Sequence, residues 1–193
     1  MGIIAICGSM RVESNTNKLV RMVAESAGWE YEAVDFTKLT IQPCTGCMMC
    51  MMNEGQCPID DDMQVLYEKM ISADAIIIGS PTYYLDIAGA VKCMIDRSMA
   101  LNYRGIGPMG NEDMPWLGQR PLFGKPGVAV VTVAGNGHER TLETLRICME
   151  DCYRMKLVAK LAEPVGMDDV DAMPEVLKRA EEAGKKLSEA LTQ

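Results

Sequence analysis

Four of the chain's eight cysteines stand close together, as Cys44-Thr45-Gly46-Cys47-Met48-Met49-Cys50 and then Cys57, followed by Pro58. Thiolates are soft ligands, and the spacing C-x2-C-x2-C-x6-C wraps one compact loop around a single object, with the fourth cysteine closing it from farther along. A [4Fe–4S] cluster, held by four cysteine thiolates as in the related ferredoxin run, fits that pattern. Gly46 lets the backbone pass close to such a group, and Met48, Met49, Met51 and Met52 are placed to screen it from water. Zinc is the main rival ligand, although structural zinc sites usually pair two separated knuckles. A redox disulfide pair is a further alternative. The other four cysteines, Cys7, Cys93, Cys148 and Cys152, are scattered singly and read as small buried hydrophobes.

A second chemical stretch is Gly8-Ser9-Met10-Arg11-Val12-Glu13-Ser14-Asn15-Thr16, between a short apolar run and a helical pattern. A loop feeding a helix N-terminus offers free backbone N–H groups and the positive end of a dipole, which together form an anion site. Ser9, Ser14, Asn15 and Thr16 add short polar donors, and Arg11 adds a charged fork for phosphate oxygens. Neither G-x-x-x-x-G-K-[ST] nor G-x-G-x-x-G is present, so neither a nucleoside triphosphate nor a Rossmann dinucleotide is indicated. The alternative for this loop is an ordinary strand-to-helix turn with capping side chains.

Two more loops follow apolar runs. Ser80-Pro81-Thr82-Tyr83-Tyr84 comes after Ala75–Gly79. Pro81 stiffens the turn, Thr82 and Tyr83 present backbone donors, and Tyr83 and Tyr84 offer flat faces, which together suit an isoalloxazine ring. The bland alternative packs both tyrosines on the next helix. Ala134-Gly135-Asn136-Gly137-His138 comes after Val128–Val133, and Gly135 permits close backbone approach to a ligand. His138, the only histidine, reads as a rim or helix-start residue.

Positioning these loops requires a scaffold of alternating strands and helices. Strands are expected at Gly2–Cys7, Glu30–Phe36, Ala75–Gly79, Val128–Val133 and Leu157–Glu163. Helices are expected at Asn17–Ala27, from Asp60-Asp61-Asp62 to Ser72, at Ile87–Asn102, at Glu139–Met155 and at Pro174–Leu191. Continuous apolar runs such as AIIIG and VAVVTV mark strands buried on both faces. Five such strands alternating with helices imply a flavodoxin-like, doubly wound α/β fold with a five-stranded parallel sheet in the order 2-1-3-4-5. Ligands in such sheets bind at the carboxyl ends of the strands, where the three loops fall. The expectation is one domain over residues 1–193, with a cysteine-rich loop at 43–60 and an irregular insertion at 104–126 carrying Trp116.

With 193 residues, 48% hydrophobic and 24% charged, the chain has the make-up of an ordinary globular protein. Its formal charge of −8 and the lack of a basic run exclude a nucleic-acid partner. The start lacks the basic region of a signal peptide and no apolar run approaches a membrane span, so the expectation is a cytoplasmic protein. In that reducing compartment eight cysteines raise the question of metal or redox chemistry. The heavy use of methionine, at 17 residues, reads as core filling.

The stretches GSMRVESNT, PCTGCMMC, CPIDDDM, SPTYY and MIDRS, within a likeness running from Gly2 to about Gly166, resemble the iron–sulfur flavoproteins. These are a branch of the NAD(P)H-dependent FMN reductase superfamily. The resemblance implies that Ser9, Arg11, Ser14, Asn15 and Thr16 hold an FMN phosphate, that Pro81, Thr82, Tyr83 and Tyr84 line its ring, and that Cys44, Cys47, Cys50 and Cys57 hold the cluster. It further implies a homodimer or a tetramer of dimers, with a ferredoxin-like electron donor and a small-molecule acceptor. Two other readings stand beside it: an NAD(P)H-dependent flavin or quinone reductase with empty cysteines, and a non-catalytic flavin- or zinc-binding module. The 104–126 segment is longer than the resemblance leads one to expect, and long irregular insertions are usually functional or disordered.

Overall fold

A computed structural model describes residues 2–104 and 120–193. Trp116 and most of the 104–126 insertion therefore lie outside the described residues. The five long strands are β1 (Ile3–Cys7), β2 (Tyr31–Asp35), β3 (Ala75–Tyr83), β5 (Pro126–Val133) and β6 (Lys156–Pro164). All neighbouring pairs among them run parallel, in the order β2-β1-β3-β5-β6, which is the expected flavodoxin-like arrangement. A sixth strand departs from expectation: β4 (Asp86–Ile87) folds back antiparallel on the end of β3.

The apolar runs do what their composition dictates. In β1, β3 and β5 alternate side chains enter two separate cores, because helices cover both faces of the sheet. Ile4, Ile6, Ile76, Ile78, Ala129 and Val131 pack beneath α3 (Met63–Ser72), α4 (Gly89–Arg97) and α5 (His138–Arg146). Ile3, Ala5, Ile77, Val128 and Val130 meet α1 (Asn15–Ala27) and α6 (Pro174–Thr192) on the other face. β2 is an edge strand, so only Val34 in it is fully buried, whereas Tyr31 and Ala33 are partly buried on the α1 side.

Several boundaries differ from the sequence expectation, each for a local reason. α1 begins two residues earlier than Asn17, because Ser14 caps it by accepting from the Asn17 backbone N–H. Ser80–Tyr83, expected as a loop, continues β3, since β5 pairs beside it as far as Pro81 and β4 pairs with Thr82 and Tyr83. The segment expected as one helix over Ile87–Asn102 opens with strand β4, is α-helical only to Arg97, and tightens into a 3-10 turn at Ser98–Tyr103. The helix expected to reach Met155 ends at Arg146 and widens into a π turn at Ile147–Cys152. A one-turn helix, α2 (Met49–Met52), forms inside the cysteine loop. Of the four scattered cysteines, Cys7 and Cys148 are buried and Cys93 is half-buried, but Cys152 is exposed because it ends the π turn at the surface.

α1 and α6 lie in close contact, and Gly184 is the reason they can. A Cβ at that position would fall 2.5 Å from the Val23 carbonyl oxygen and 2.7 Å from the Ser26 Cβ. Gly184→Ala should therefore destabilise the fold by about 1–3 kcal/mol through overpacking, despite the roughly 1 kcal/mol that alanine gains in helix propensity. Gly89→Ala, where a Cβ meets nothing within 4 Å, should be neutral or slightly stabilising. Urea unfolding of the two variants side by side measures the contrast.

Candidate functional site

The carboxyl ends of β1, β3 and β5 form one rim. The loop after β1 is held by Asn17, whose side chain accepts from the Ser9 backbone N–H at 3.1 Å and donates to the Ser9 carbonyl at 3.3 Å. Ser9 Oγ in turn accepts from the Arg11 N–H at 3.3 Å. Among the described residues, the backbone N–H groups of Val12, Glu13, Ser14, Asn15 and Thr16 find no acceptor. Five successive unpaired donors at the start of α1 form a cradle for an anion. A cavity of about 250 Å³ opens beside it, lined by Arg11, Ser14, Lys18, Arg21 and Lys38 among others.

The side chains expected at this loop divide into two groups. Arg11 is exposed and lines the cavity, and Ser9 and Ser14 are buried as internal braces. Asn15 and Thr16 have engaged side chains. Asn15 donates to the Asp168 carbonyl at 2.7 Å and accepts from the Val170 N–H at 3.2 Å, so it clasps the loop after β6 to the start of α1. The Thr16 hydroxyl lies 2.6 Å from that of Thr132 in β5, inside the protein. Both keep their backbone N–H groups for the cradle.

At the end of β3 the chain makes a two-residue hairpin turn through Tyr84 and Leu85, with φ of 49° and 67°. Left-handed geometry at both central positions fits the twist of a hairpin but strains residues other than glycine and asparagine. The turn holds because Asp86 accepts from Arg140 Nε at 2.7 Å and Thr144 Oγ1 at 3.0 Å, both on α5. Pro81 is buried, Thr82 donates to the Thr141 hydroxyl at 2.9 Å, and Tyr83 and Tyr84 stand exposed on the rim. The tyrosines therefore do not pack on the next helix. Gly135 faces open space in the neighbouring loop. His138 is the first residue of α5, as expected, and its Nδ1 is buried without a partner among the described residues.

The four clustered cysteines line a single cavity of about 120 Å³, together with Met48, Met51, Arg97, Met99 and Ala100. Positive φ at Gly46 (67°), Met48 (59°), Glu54 (48°) and Gly55 (77°) curls the loop. Hydrogen bonds from the Met49 N–H and the Thr45 hydroxyl hold the Cys47 thiol below its ordinary pKa, with a further contribution from the Arg97 charge. Burial pushes the Cys50 thiol up, and the proximity of Cys57, Cys44 and Cys47 adds to that. Among the described residues no three His, Cys, Asp or Glu side chains converge tightly enough for one metal ion. The thiols instead line a void, and an all-sulfur donor set there fits an iron–sulfur group. Of the methionines expected as a screen, Met48 and Met51 border the void, but Met49 and Met52 face solvent, Met52 with 84% of its surface exposed.

Sequence reasoning missed two side chains, Asn17 and Arg97. Asn17 lies in the helical pattern as one more polar residue. Arg97, within MIDRS, is fully buried against Asp61 at 2.8 Å. The acidic triplet expected to open α3 is thus divided: Asp61 receives Arg97 and the Met63 N–H, while Asp62 receives the Thr40 N–H. Burial raises the Asp61 pKa, but the Arg97 fork and the N–H groups of Gln42 and Met63 outweigh it and hold the carboxyl below its ordinary value.

Comparison with known proteins agrees with this geometry. Residues 1–166 match the family described as NADPH-dependent FMN reductase. An iron–sulfur flavoprotein of Methanocaldococcus jannaschii is 43% identical over 105 residues, which are 52% of this chain and 53% of the relative, so the match spans about half the length of that protein. An iron–sulfur flavoprotein of Archaeoglobus fulgidus is 31% identical over 195 aligned positions, covering 98% of this chain and 80% of the relative. Among solved structures, a flavone reductase superposes with a TM-score of 0.73 at 20% identity, over 100% of this chain and 64% of the other. The NAD(P)H:quinone oxidoreductase from Methanothermobacter marburgensis superposes with a TM-score of 0.63 at 18% identity, over 97% and 96%. These last two establish the fold alone.

Fold and family together place the chain among the flavodoxin-like FMN proteins. More narrowly, the chain belongs to the NADPH-dependent FMN reductase family, in its iron–sulfur flavoprotein branch. The family supports FMN as the cofactor. Asn17→Ala should remove both bonds that shape the anion cradle and weaken FMN binding roughly fivefold, at about 1 kcal/mol net for two partly compensated bonds. Titration of the apoprotein by FMN fluorescence quenching reads the affinity, and the urea midpoint separates it from loss of fold.

Proposed function

We propose that residues 1–193 act as one FMN-binding unit, with the cysteine loop at 43–60 serving as its port for single electrons. The observation that carries this is the convergence of Cys44, Cys47, Cys50 and Cys57 on one cavity in a chain of this family. When bound, a [4Fe–4S] cluster passes electrons singly and FMN stores two. In this reading the N–H groups of Val12–Thr16 and the Arg11 fork hold the FMN phosphate. Pro81, Thr82, Tyr83, Tyr84 and Gly135 bound the ring, with the Tyr84–Leu85 turn fixed by Asp86. The four thiolates hold the cluster.

The two sites sit at opposite ends of α4. Ser80 Oγ accepts from the Ala88 N–H at 3.1 Å where the helix begins, and Arg97 lines the cysteine cavity where it ends. Nine residues at a rise of about 1.5 Å each put roughly 13 Å of helix between them. The proposed donor is a ferredoxin-like protein at the cysteine loop and the acceptor a small molecule at the open rim, in a homodimer or tetramer. The proposed location is the cytoplasm, whose reducing environment keeps cysteines available as ligands. No described helix is long and apolar enough to cross a membrane.

The family description also favours a second reading, in which NADPH reduces the flavin directly and the cysteines stay empty. Anaerobic purification should give about four irons and four sulfides per chain alongside FMN. Cys50→Ser and Cys57→Ser should each lose most of the iron and keep the flavin. Flavin reduced faster by reduced ferredoxin than by NADPH supports the relay. Iron-free protein whose flavin NADPH bleaches rapidly supports the second reading, and stoichiometric zinc with no turnover overturns both.

A further inference from the structure

Two arginines grip the cysteine loop at different points. Arg97 takes its two ends, through the Gln42 and Ile59 carbonyls. The stretch between Cys50 and Cys57 is held instead against the 3-10 turn at Ser98–Tyr103 and Arg104, and the point of contact is Gly55. Gly55 is buried, although Asn53, Glu54 and Gln56 around it are exposed. Its N–H donates to the Cys50 carbonyl at 2.9 Å, and its carbonyl accepts from Arg104 Nε at 3.4 Å. The Arg104 guanidinium lies 4.8 Å from the centre of the Tyr67 ring and pairs with Glu68. Tyr67 donates its hydroxyl to the Arg97 carbonyl at 2.7 Å, which ties the two grips together.

The Gly55 position admits no side chain. A Cβ there would fall 2.6 Å from the Ala100 carbonyl oxygen, 2.6 Å from the Arg104 backbone nitrogen and 2.4 Å from Arg104 Cγ. Two of these three atoms are backbone, so no rotation of a side chain relieves the contact. The φ of 77° adds the strain of left-handed geometry to any other residue. Gly28, which caps α1 far from the loop, has a similar φ of 71°, but a Cβ there meets nothing within 4 Å. The two glycines thus separate strain from close contact.

We propose that Gly55 is the positioning residue for the fourth thiolate, and that its contact with Ala100 and Arg104 decides whether the site keeps a complete four-iron cluster. The inference rests on the cluster reading above. Cys44, Cys47 and Cys50 are held together by short spacing alone, whereas Cys57 reaches the same cavity only because the chain folds back at Gly55. Fixing that fold beforehand removes ordering that binding would otherwise have to supply. A side chain at Gly55 pushes the turn off its support and carries Cys57, two residues on, away from the other three thiols.

The test compares anaerobically purified wild type, Gly55→Ala and Gly28→Ala as holoproteins, by iron and FMN content and by electron paramagnetic resonance. Wild type and Gly28→Ala should hold about four irons per chain and show no signal when oxidised. Gly55→Ala should keep its FMN but, on mild treatment with ferricyanide, lose about one iron per chain. In that step [4Fe–4S]2+ releases Fe2+ and passes one electron to ferricyanide, leaving a paramagnetic [3Fe–4S]+ group. Full iron and no signal in Gly55→Ala overturns the positioning role and leaves the cluster assignment standing. Equal iron loss from Gly28→Ala also overturns it, by reducing the effect to general strain. Wild type without iron and sulfide overturns the cluster assignment and this inference with it. Should Gly55→Ala fail to fold, Arg104→Ala decides alone: it should release iron to a chelator about fivefold faster than wild type, the worth of one hydrogen bond, and an equal rate sinks the proposal.

Discussion

The buried pair between Arg97 and Asp61 is the constraint on which the cysteine loop depends. Gln42 and Ile59 stand at the two ends of that loop, and both carbonyls accept from the same guanidinium. One side chain therefore closes a segment that has little core of its own and few regular hydrogen bonds. Its own anchorage is α4, which is packed on the sheet through Val91 and Met94. Removing one partner of such a pair strands a buried charge, at about 3–5 kcal/mol. The loop's shape is thus coupled to the sheet through a single residue, and the mutual placement of the four thiols inherits that rigidity.

The anion cradle at the rim is built on a different principle. It has no buried charge and relies on a short chain of neutral braces, from Asn17 to Ser9, Ser9 to Arg11 and Ser14 to Asn17. Asn15 adds a long-range clasp to the loop after β6, which sets the start of α1 against the far end of the sheet. Side chains that look from their type like ligands are thereby occupied in fixing backbone, and the backbone is what remains available. Where donors are pre-aimed in this way, little ordering is left to be done when an anion arrives.

Much of this was legible in the sequence. Continuous runs of Ile, Val and Ala bounded by turn residues marked the parallel strands, because burial on both faces leaves no alternative composition. The cysteine spacing marked its loop for the same reason: four thiols within fourteen residues have few structural uses. What escaped was whatever depended on partners distant in the chain. Ser80–Tyr83 reads as a loop until β4 and β5 are known to flank it, and Pro81 argued further against a strand. Asp61 looked like a helix-opening acid because its partner lies 36 residues away. Arg97 reads as one charge in a helical pattern, and only the closed fold makes it a wall of a cavity. The difference between Cys148 and Cys152 was equally hidden, since it turns on where a helix widens into a π turn.

One consequence of α4 concerns its direction. Its peptide dipoles align so that the end at Gly89 carries a partial positive charge and the end at Arg97 a partial negative one. The helix therefore lays a downhill gradient for negative charge from the cysteine cavity toward the rim. With the Arg97 cation offset by Asp61, little remains at the lower end to cancel that slope. Negative charge is therefore more stable beside the rim end of α4 than beside the cysteine cavity, whatever group carries it.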